Sequence, residues 1–419
     1  MKAWKPLAKA FYFDSFRVEP ATGRVVFTYS TDAGHAFESE FIFGSGSVLK
    51  KRDFAPALLA LGLAALPSYW KGILAPEIIV RAGRLTPQQV AFWQNLYIKG
   101  LGEFFYVNAI DFRDLFRVTS DVSAPEMPAI PSKLIARALV PCGGGKDSLV
   151  TGELLTAGGK PFSWFELNPR PFSARLREVS GQTSAVTVGG DREKNLAKIK
   201  ELVAKGAPTG HVPISAVYMA AAVVAAKAHG YADIVLSLER SASVGNVEYL
   251  GESINHQYSK SLEFERMMRE YVVRFVDPGL RLFSILRPLY ELQVVREFAK
   301  HPKYFSHFIS CNKGLATSAW CGVCAKCAFM YLALSAFLPP ETVFGIFKKN
   351  LFEDASLIPL FEELIGMHKA KPFECVGTFE ENLLALYLAE EEHAKRGIPL
   401  PPVLAKLPWQ DGKKHLGLL

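Results

Sequence analysis

Leu134-Ile135-Ala136-Arg137-Ala138-Leu139-Val140-Pro141-Cys142-Gly143-Gly144-Gly145-Lys146-Asp147-Ser148-Leu149-Val150-Thr151 is the stretch whose reading decides the fold. It opens with a mostly apolar run of strand length, closed by a proline and a glycine cluster. Consecutive glycines let the backbone turn sharply and approach a ligand with no Cβ in the way. The residues from Ser148 onward continue as a helix, whose first turn offers free N–H groups and a positive dipole end to an anion such as phosphate. Gly143, Gly144, Gly145, Lys146, Asp147 and Ser148 are therefore the candidate nucleotide-binding set. A lone carboxylate at Asp147 would repel a phosphate, so it is expected to hold Mg²⁺ bridging a pyrophosphate. Ser148 is expected to donate to a phosphate oxygen, and Lys146 reads as a solvated residue of the first turn.

The loop does not end in Gly-Lys-Ser/Thr and is not a Walker motif. It resembles the Ser-Gly-Gly-x-Asp-Ser PP-loop of the ATP pyrophosphatases, which cleave ATP to AMP and pyrophosphate. Gly143 stands where that superfamily usually has Ser. Outward from the loop, strand patterns at 162–167, 184–188, 234–237 and 282–286 alternate with helical patterns at 148–155, 192–204, 214–228 and 260–275. Such alternation predicts an α/β fold with a mainly parallel sheet covered on both faces and ligands at the carboxyl ends of its strands. The resemblance gives it the adenine nucleotide alpha hydrolase-like architecture.

Before this unit, aromatic and β-branched runs at 11–18, 24–29 and 37–43 read as antiparallel strands, with turns at Ala21-Thr22-Gly23 and Asp32-Ala33-Gly34. Helical patterns follow at 55–66 and 86–105, the second capped by Thr86 with Pro87 at its first position. Three prolines within 120–131 mark a linker. The expected organisation is a β-strand and helix domain at 1–125, a PP-loop ATP-binding domain at 132–330, and a helical region at 331–419 with a Pro-rich tail after Arg396.

Composition narrows the class of function. The chain has 419 residues, 49% hydrophobic and 21% charged, with a net charge of +7. Disorder and low complexity are excluded, and the positive balance suits a polyanionic ligand. The basic residues are scattered except for Lys50-Lys51-Arg52, which reads as a solvated turn, so no nucleic acid partner is expected. The apolar runs at 54–66 and 213–226 are shorter than the ~20 residues of a membrane span, so no membrane insertion is expected. Lys and Pro interrupt the start, Met1-Lys2-Ala3-Trp4-Lys5-Pro6, and no secretion signal is read there. A cytoplasmic protein with reduced thiols is the expectation.

Cys321-x-x-Cys324-x-x-Cys327, preceded by Cys311, brings four thiols near enough in sequence for one tetrahedral centre. Structural zinc, an iron–sulfur cluster and a set of buried thiols all fit the spacing. A similar arrangement follows the nucleotide domain in 7-cyano-7-deazaguanine synthases, and that resemblance implies zinc. Polar segments also gather at expected strand ends. They are Gly210-His211-Val212-Pro213, Ser237-Leu238-Glu239-Arg240-Ser241-Ala242-Ser243, and Asn255-His256-Gln257-Tyr258-Ser259-Lys260-Ser261. Arg287 follows the last strand and has the planar fork that clamps a phosphate or carboxylate.

These segments, together with Gly100-Leu101-Gly102-Glu103-Phe104, Leu286-Arg287-Pro288, Ser310-Cys311-Asn312, Trp320-Cys321-Gly322 and Lys371-Pro372-Phe373-Glu374-Cys375-Val376-Gly377, resemble the MurL family. Leu238, Arg240 and Tyr258 depart from its pattern. The resemblance implies ATP-dependent epimerisation of the terminal L-glutamate of UDP-MurNAc-L-Ala-L-Glu, with release of AMP and pyrophosphate, in peptidoglycan precursor synthesis. An L-glutamate-adding muramoyl ligase would supply the substrate. His211, Glu239, His256 and Lys260 become candidates for the proton steps, and Ser241, Ser243, Asn255 and Arg287 for substrate binding. The rival readings are a tRNA-modifying or deazapurine adenylating enzyme, and a nucleotide-binding regulator without catalysis.

Overall fold

Alternating apolar and polar residues run through β1 (Ala10–Glu19), β2 (Arg24–Thr31) and β3 (Ala36–Ile42), and this period of two turns one face of each strand to the core. The computed structural model describes all residues except 1–3, 45–48, 50, 191–193, 315, 316, 318 and 369, and only the backbone of 51 and 52. The three strands pair antiparallel, with Gly23 and Gly34 at positive φ in the turns. Two short strands not evident in the sequence, β4 (Glu77–Val80) and β5 (Arg117–Ser120), extend the sheet in parallel to the order β3-β2-β1-β4-β5. Helix Lys51–Ala65 packs on it so closely that a Cβ on Gly62 would lie 2.3 Å from the Phe13 ring. The expected basic turn is thus partly the start of this helix, and Lys50 lies outside the described residues. Helix Pro87–Gly100 begins at Thr86, whose side chain and that of Gln89 form a capping box. It breaks at Leu101, and a second helix, Gly102–Val107, follows.

The alternating unit forms one parallel sheet. Its strands are β6 (Ile135–Pro141), β7 (Phe162–Leu167), β8 (Ala185–Val188) and β9 (Tyr231–Leu236). A small hairpin, β10 (Val247–Tyr249) with β11 (Glu252–Ile254), stands apart, and β12 (Arg281–Ser284) completes the sheet. The order β12-β9-β6-β7-β8 is that of a doubly wound sheet, in which the connections reverse between β6 and β9. Helix Ile214–His229, rich in alanine and buried on nearly all sides, covers one face and also meets helix Lys51–Ala65. One hydrophobic cluster therefore runs from the first sheet through this helix to Leu139 and Phe165. The segment at 120–131 is irregular, as its prolines require, but the core does not divide there. Its Ile130 N–H bonds to Val276 O at 2.9 Å, and Lys227 reaches Ile130 O and Ser132 Oγ. Helix Leu196–Ala204 is shorter than the pattern from 192, whose first residues lie outside the described ones.

A second cluster gathers the C-terminal helices around helix Ala325–Ser335, every residue of which is buried. The Pro-rich tail is not a loose end. Residues 409–418 form a 3₁₀ helix against helix Phe379–Arg396, where a Cβ on Gly412 would lie 2.0 Å from Leu383 O. Among the described residues no helix is long and apolar enough to cross a membrane.

Candidate active site at the reversal of the sheet

The glycine loop leaves β6 at the point where the connections reverse, and a cavity of about 480 Å³ opens there. Its walls come from the ends of β6, β7 and β9 and from helix Ile214–His229. Gly144 has φ +87°, and a Cβ on it would lie 2.2 Å from the Phe172 ring, so glycine is required twice over. A Cβ on Gly143 would meet nothing within 4 Å. Gly145 caps helix Lys146–Ala157 with extended backbone, leaving the first N–H groups of the helix at the cavity. Ser148 Oγ donates to Gly145 O at 3.0 Å, yet Ser148 still lines the cavity. At the end of β9, Ser237 Oγ is buried on the cavity wall with no hydrogen-bond partner among the described residues.

Lys146 corrects the expectation of a solvated residue: its ammonium is buried, bonds to Asp147 Oδ1, and donates to Glu291 Oε1 at 2.8 Å. Glu291 opens helix Glu291–Phe298, and its own N–H donates to Ser241 Oγ at 3.0 Å. Glu239 stands on the turn after β9. Carboxylate oxygens of Asp147, Glu239 and Glu291 lie within 4.8 Å of one another. This is an oxygen donor set suited to a hard divalent cation, set beside the open N-terminus of helix Lys146–Ala157. Burial, then the carboxylates of Glu291 and Asp147, raise the Glu239 pKa to about 8. Burial pushes Asp147 the same way, but the Lys146 ammonium outweighs it and holds Asp147 below the ordinary carboxylate range. Burial opposes the charge of Lys146 too, and Asp147 and Glu291 outweigh that burial. Lys326, on helix Ala325–Ser335, adds a second ammonium 3.9 Å from Glu291 Oε1.

Lys260 also lines the cavity, and its ammonium lies 3.2 Å from Cys375 Sγ. Cys375 shares that wall, with Gln257 Oε1 at 2.8 Å and His256 Nε2 at 3.8 Å from its sulfur. Burial would raise the thiol pKa, but Lys260 and Lys326 bring it below the ordinary value. Glu291, Lys326 and Cys375 are site residues that the sequence reading missed as such. Glu291 sits four residues after Arg287, in an ordinary helix start. Cys375 lies more than a hundred residues from Lys260, and only the Lys371–Gly377 match pointed to it.

The remaining candidates divide. His256 is buried, and burial with the positive charges of Lys260, Lys371 and Lys326 lowers its pKa to about 3. His211 lies away from the cavity wall, its ring 6.3 Å from that of His256 and its Nδ1 3.3 Å from Glu103. Burial, with His256 nearby, lowers its pKa to about 4, and burial raises that of Glu103 to about 7. Ser241, Ser243, Asn255 and Arg287 border a second cavity of about 1120 Å³ across the Glu239–Ser243 turn. Arg287 is not a free clamp. It grips Glu265 Oε2 at 2.7 and 3.0 Å and donates to the carbonyls of Glu239 at 2.7 Å and Lys260 at 3.0 Å. Asn255 likewise serves the fold, donating to Ala242 O at 2.8 Å.

Cys311, Cys321, Cys324 and Cys327 converge at the start of helix Ala325–Ser335, their sulfurs all within 4.8 Å. A tetrahedral ion with bonds of about 2.3 Å would space its sulfurs about 3.8 Å apart. The pairs Cys311–Cys324 at 3.9 Å and Cys321–Cys327 at 3.6 Å bracket that value. The N–H of Gly314 points at Cys311 Sγ from 3.1 Å, as a thiolate ligand needs. The knuckle borders the cavity through Ile309, Ser310 and Asn312, and Ile309 N–H reaches Gly144 O at 3.3 Å.

Residues 3–285 match the family model of the MurL N-terminal domain, and residues 307–410 that of the MurL C-terminal domain. A protein of Xanthomonas oryzae pv. oryzae named UDP-N-acetyl-alpha-D-muramoyl-L-alanyl-L-glutamate epimerase is 35% identical over 390 residues, covering 90% of this chain and 84% of its own. Proteins of the same name from Micromonospora sp. and Salinispora tropica are 33% and 34% identical. These cover 93% and 94% of this chain, and 89% and 88% of their own lengths.

Proposed function

This chain belongs to the MurL family, and from that premise we propose that it inverts the terminal L-glutamate of UDP-MurNAc-L-Ala-L-Glu to D-glutamate, using ATP to adenylate the carboxylate and releasing AMP and pyrophosphate. The observation that carries the reading is the meeting of a phosphate-binding glycine loop with Asp147, Glu239 and Glu291 in one cavity at the reversal of a parallel sheet. The site belongs on this reading to the PP-loop ATP pyrophosphatases.

A carboxylate resists loss of the neighbouring Cα proton, because a second negative charge would form beside the first. Adenylation removes the first charge and makes the proton far more acidic. In this chain the N–H groups that open helix Lys146–Ala157 receive the phosphates. Asp147, Glu239 and Glu291 would hold Mg²⁺, which when bound neutralises charge on the pyrophosphate. Lys146 and Lys326 keep that acidic set from repelling the nucleotide. Lys260 faces the same cavity from the opposite element and is a third cation for the reacting carboxyl group. The four cysteines would hold a structural zinc that fixes the 309–312 wall. A ligase that adds L-glutamate to the muramoyl peptide must supply the substrate.

The test is incubation with ATP, Mg²⁺ and UDP-MurNAc-L-Ala-L-Glu, followed by AMP assay and analysis of glutamate chirality. D-glutamate and AMP are expected together, and both are expected to vanish in Asp147→Ala. AMP with glutamate still in the L form would keep the nucleotide reading and discard the substrate. No AMP with any acceptor would discard carboxylate activation.

A further inference from the structure

Cys375, His256 and Asn246 form a chain of contacts that the reading above leaves without a task. Asn246 is anchored, its Nδ2 donating to Pro372 O at 2.8 Å and its Oδ1 accepting the His256 backbone N–H at 3.0 Å. That same Oδ1 lies 2.9 Å from His256 Nδ1. An amide oxygen only accepts, so Nδ1 carries the ring hydrogen and Nε2 is left bare. The Cys375 thiol donates to Gln257 Oε1 at 2.8 Å, and Nε2 faces the same sulfur from 3.8 Å, placed to take over that hydrogen. On its other side the sulfur has the Lys260 ammonium at 3.2 Å, and it lies on the cavity wall with Asp147 and Glu239. A thiol held by an imidazole, which is in turn oriented by an amide, is the arrangement that activates sulfur for proton transfer or attack. Here the Lys260 and Lys326 ammonium groups favour the thiolate, and the neutral imidazole orients the protonated form by accepting the S–H hydrogen at Nε2.

We propose that Cys375 is the catalytic residue that removes the Cα proton of the terminal glutamate, with His256 and Asn246 as positioning residues and Lys260 stabilising the thiolate. This rests on the epimerase reading. In the step, a sulfur lone pair takes the Cα proton and an S–H bond forms. The C–H bonding pair moves into the activated carboxyl group as an enolate, and Cα becomes planar. Water in the cavity protonates the opposite face, and the hydroxide left behind takes the proton from sulfur. Thiolate and water are regenerated, nothing is oxidised, and the product carries a solvent hydrogen at Cα.

The experiment is run in D₂O with the full chain, ATP, Mg²⁺ and UDP-MurNAc-L-Ala-L-Glu. Three quantities are read: dipeptide-dependent ATP–pyrophosphate exchange, D-glutamate formation, and deuterium at Cα. Wild type is expected to give D-glutamate labelled at Cα. Cys375→Ala is expected to lose epimerisation and label at least ~100-fold, the reach of a general base, while pyrophosphate exchange falls less than about tenfold. His256→Gln is expected to lower kcat with little change in KM, and to slow iodoacetamide alkylation of Cys375 read by mass spectrometry. If wild type labels but Cys375→Ala epimerises within about tenfold of it, Cys375 is not the base. Should the alanine variant fold poorly, wild type alkylated at Cys375 decides, since retained epimerisation would overturn the assignment equally. Wild type without D-glutamate would overturn the epimerase reading, and the role of Cys375 with it.

Discussion

Lys146 Nζ donates to Glu291 Oε1 at 2.8 Å, tying the first residue of the helix after the glycine loop to the first residue of a helix that begins 145 positions later. The side chains are only 1% and 3% exposed. Removing one partner of such a buried pair leaves an uncompensated charge, which costs about 3–5 kcal/mol. Lys146→Met is therefore expected to lose stability of that order in urea denaturation. Replacing both partners by apolar residues is close to neutral. The double variant Lys146→Met/Glu291→Leu should recover part of the loss, since Asp147 still lacks its ammonium partner, and should still lack pyrophosphate release. A double variant as unstable as the single would show that the pair is not the unit.

The two neighbouring glycines of the loop should respond oppositely. At Gly144 an alanine meets both a positive φ and the Phe172 ring at 2.2 Å. Strained backbone of this kind costs about 1–3 kcal/mol before any clash is counted. Gly144→Ala should lose ATP-dependent activity with a visible fall in thermal stability. Gly143→Ser meets open cavity, and its stability should stay within about 0.5 kcal/mol of wild type. It restores the hydroxyl that ATP pyrophosphatases carry there, so the KM for ATP should fall or hold. A rise of tenfold would show that the loop does not receive phosphate in this way.

Much of this was legible in the sequence, and the rest was hidden for physical reasons. β7, buried along its whole length, and the buried ends of β6 and β9 announced themselves as apolar runs between turn residues, and β8 through its β-branched residues in the alternating pattern. β4 and β5, each of four residues, lie among helical patterns with no strand–helix alternation to flag them, and the strands of the β10–β11 hairpin have only three residues each. The glycine loop between β6 and the next helix was readable because its residues are adjacent. The acidic set was only partly readable, since Asp147, Glu239 and Glu291 come from three separate connections and meet only where the sheet reverses. Lys146 looked solvated because nothing local reveals the carboxylate that buries it.

Stability should fall on both sides of a mildly acidic plateau in metal-free protein. Glu239 has its folded pKa raised to about 8, and Glu103 to about 7, above the ordinary 4.5. Both therefore hold a proton in the fold that the unfolded chain releases, and their contribution is lost as pH rises from about 4.5 through 7 to 8. His256 and His211 have folded pKa values of about 3 and 4 against 6.5. Their contribution is present above 6.5 and is lost as pH falls below it. The two effects offset each other between about 4.5 and 6.5, so urea midpoints measured with EDTA from pH 3 to 9 should show a plateau there with a fall on either side, and Glu239→Gln should flatten the alkaline side. An unchanged alkaline slope in Glu239→Gln would place the titrating group elsewhere.

The four cysteines give a prediction with a direct readout. Sulfur pairs at 3.9 and 3.6 Å match the spacing of a tetrahedral zinc site. Metal analysis should return about one zinc per chain, and Cys327→Ser should lower it. The 309–312 wall and Lys326 flank this knuckle, so chelation is expected to reduce pyrophosphate release as well as stability. Iron with a visible absorbance would replace zinc by a cluster, and metal-free protein of full activity would leave only packed thiols.

Arg287 supplies the sharpest separation of positioning from binding. Its guanidinium donates to the carbonyls of Glu239 and Lys260 and grips Glu265 with two further bonds. The two carbonyls belong to residues that line the cavity from different segments, so one planar fork sets the spacing between them. Lysine keeps the charge but cannot bond to all three partners in one plane. Arg287→Lys should therefore let the Glu239 turn and the Lys260 turn shift relative to each other, and small misplacements of this kind cost up to about 100-fold in rate. Steady-state kinetics should show kcat lowered about 10- to 100-fold with KM for ATP and dipeptide changed less than about threefold. The opposite split, a raised KM at constant kcat, would mean that the guanidinium leaves Glu265 to bind the substrate, and the positioning role would be abandoned.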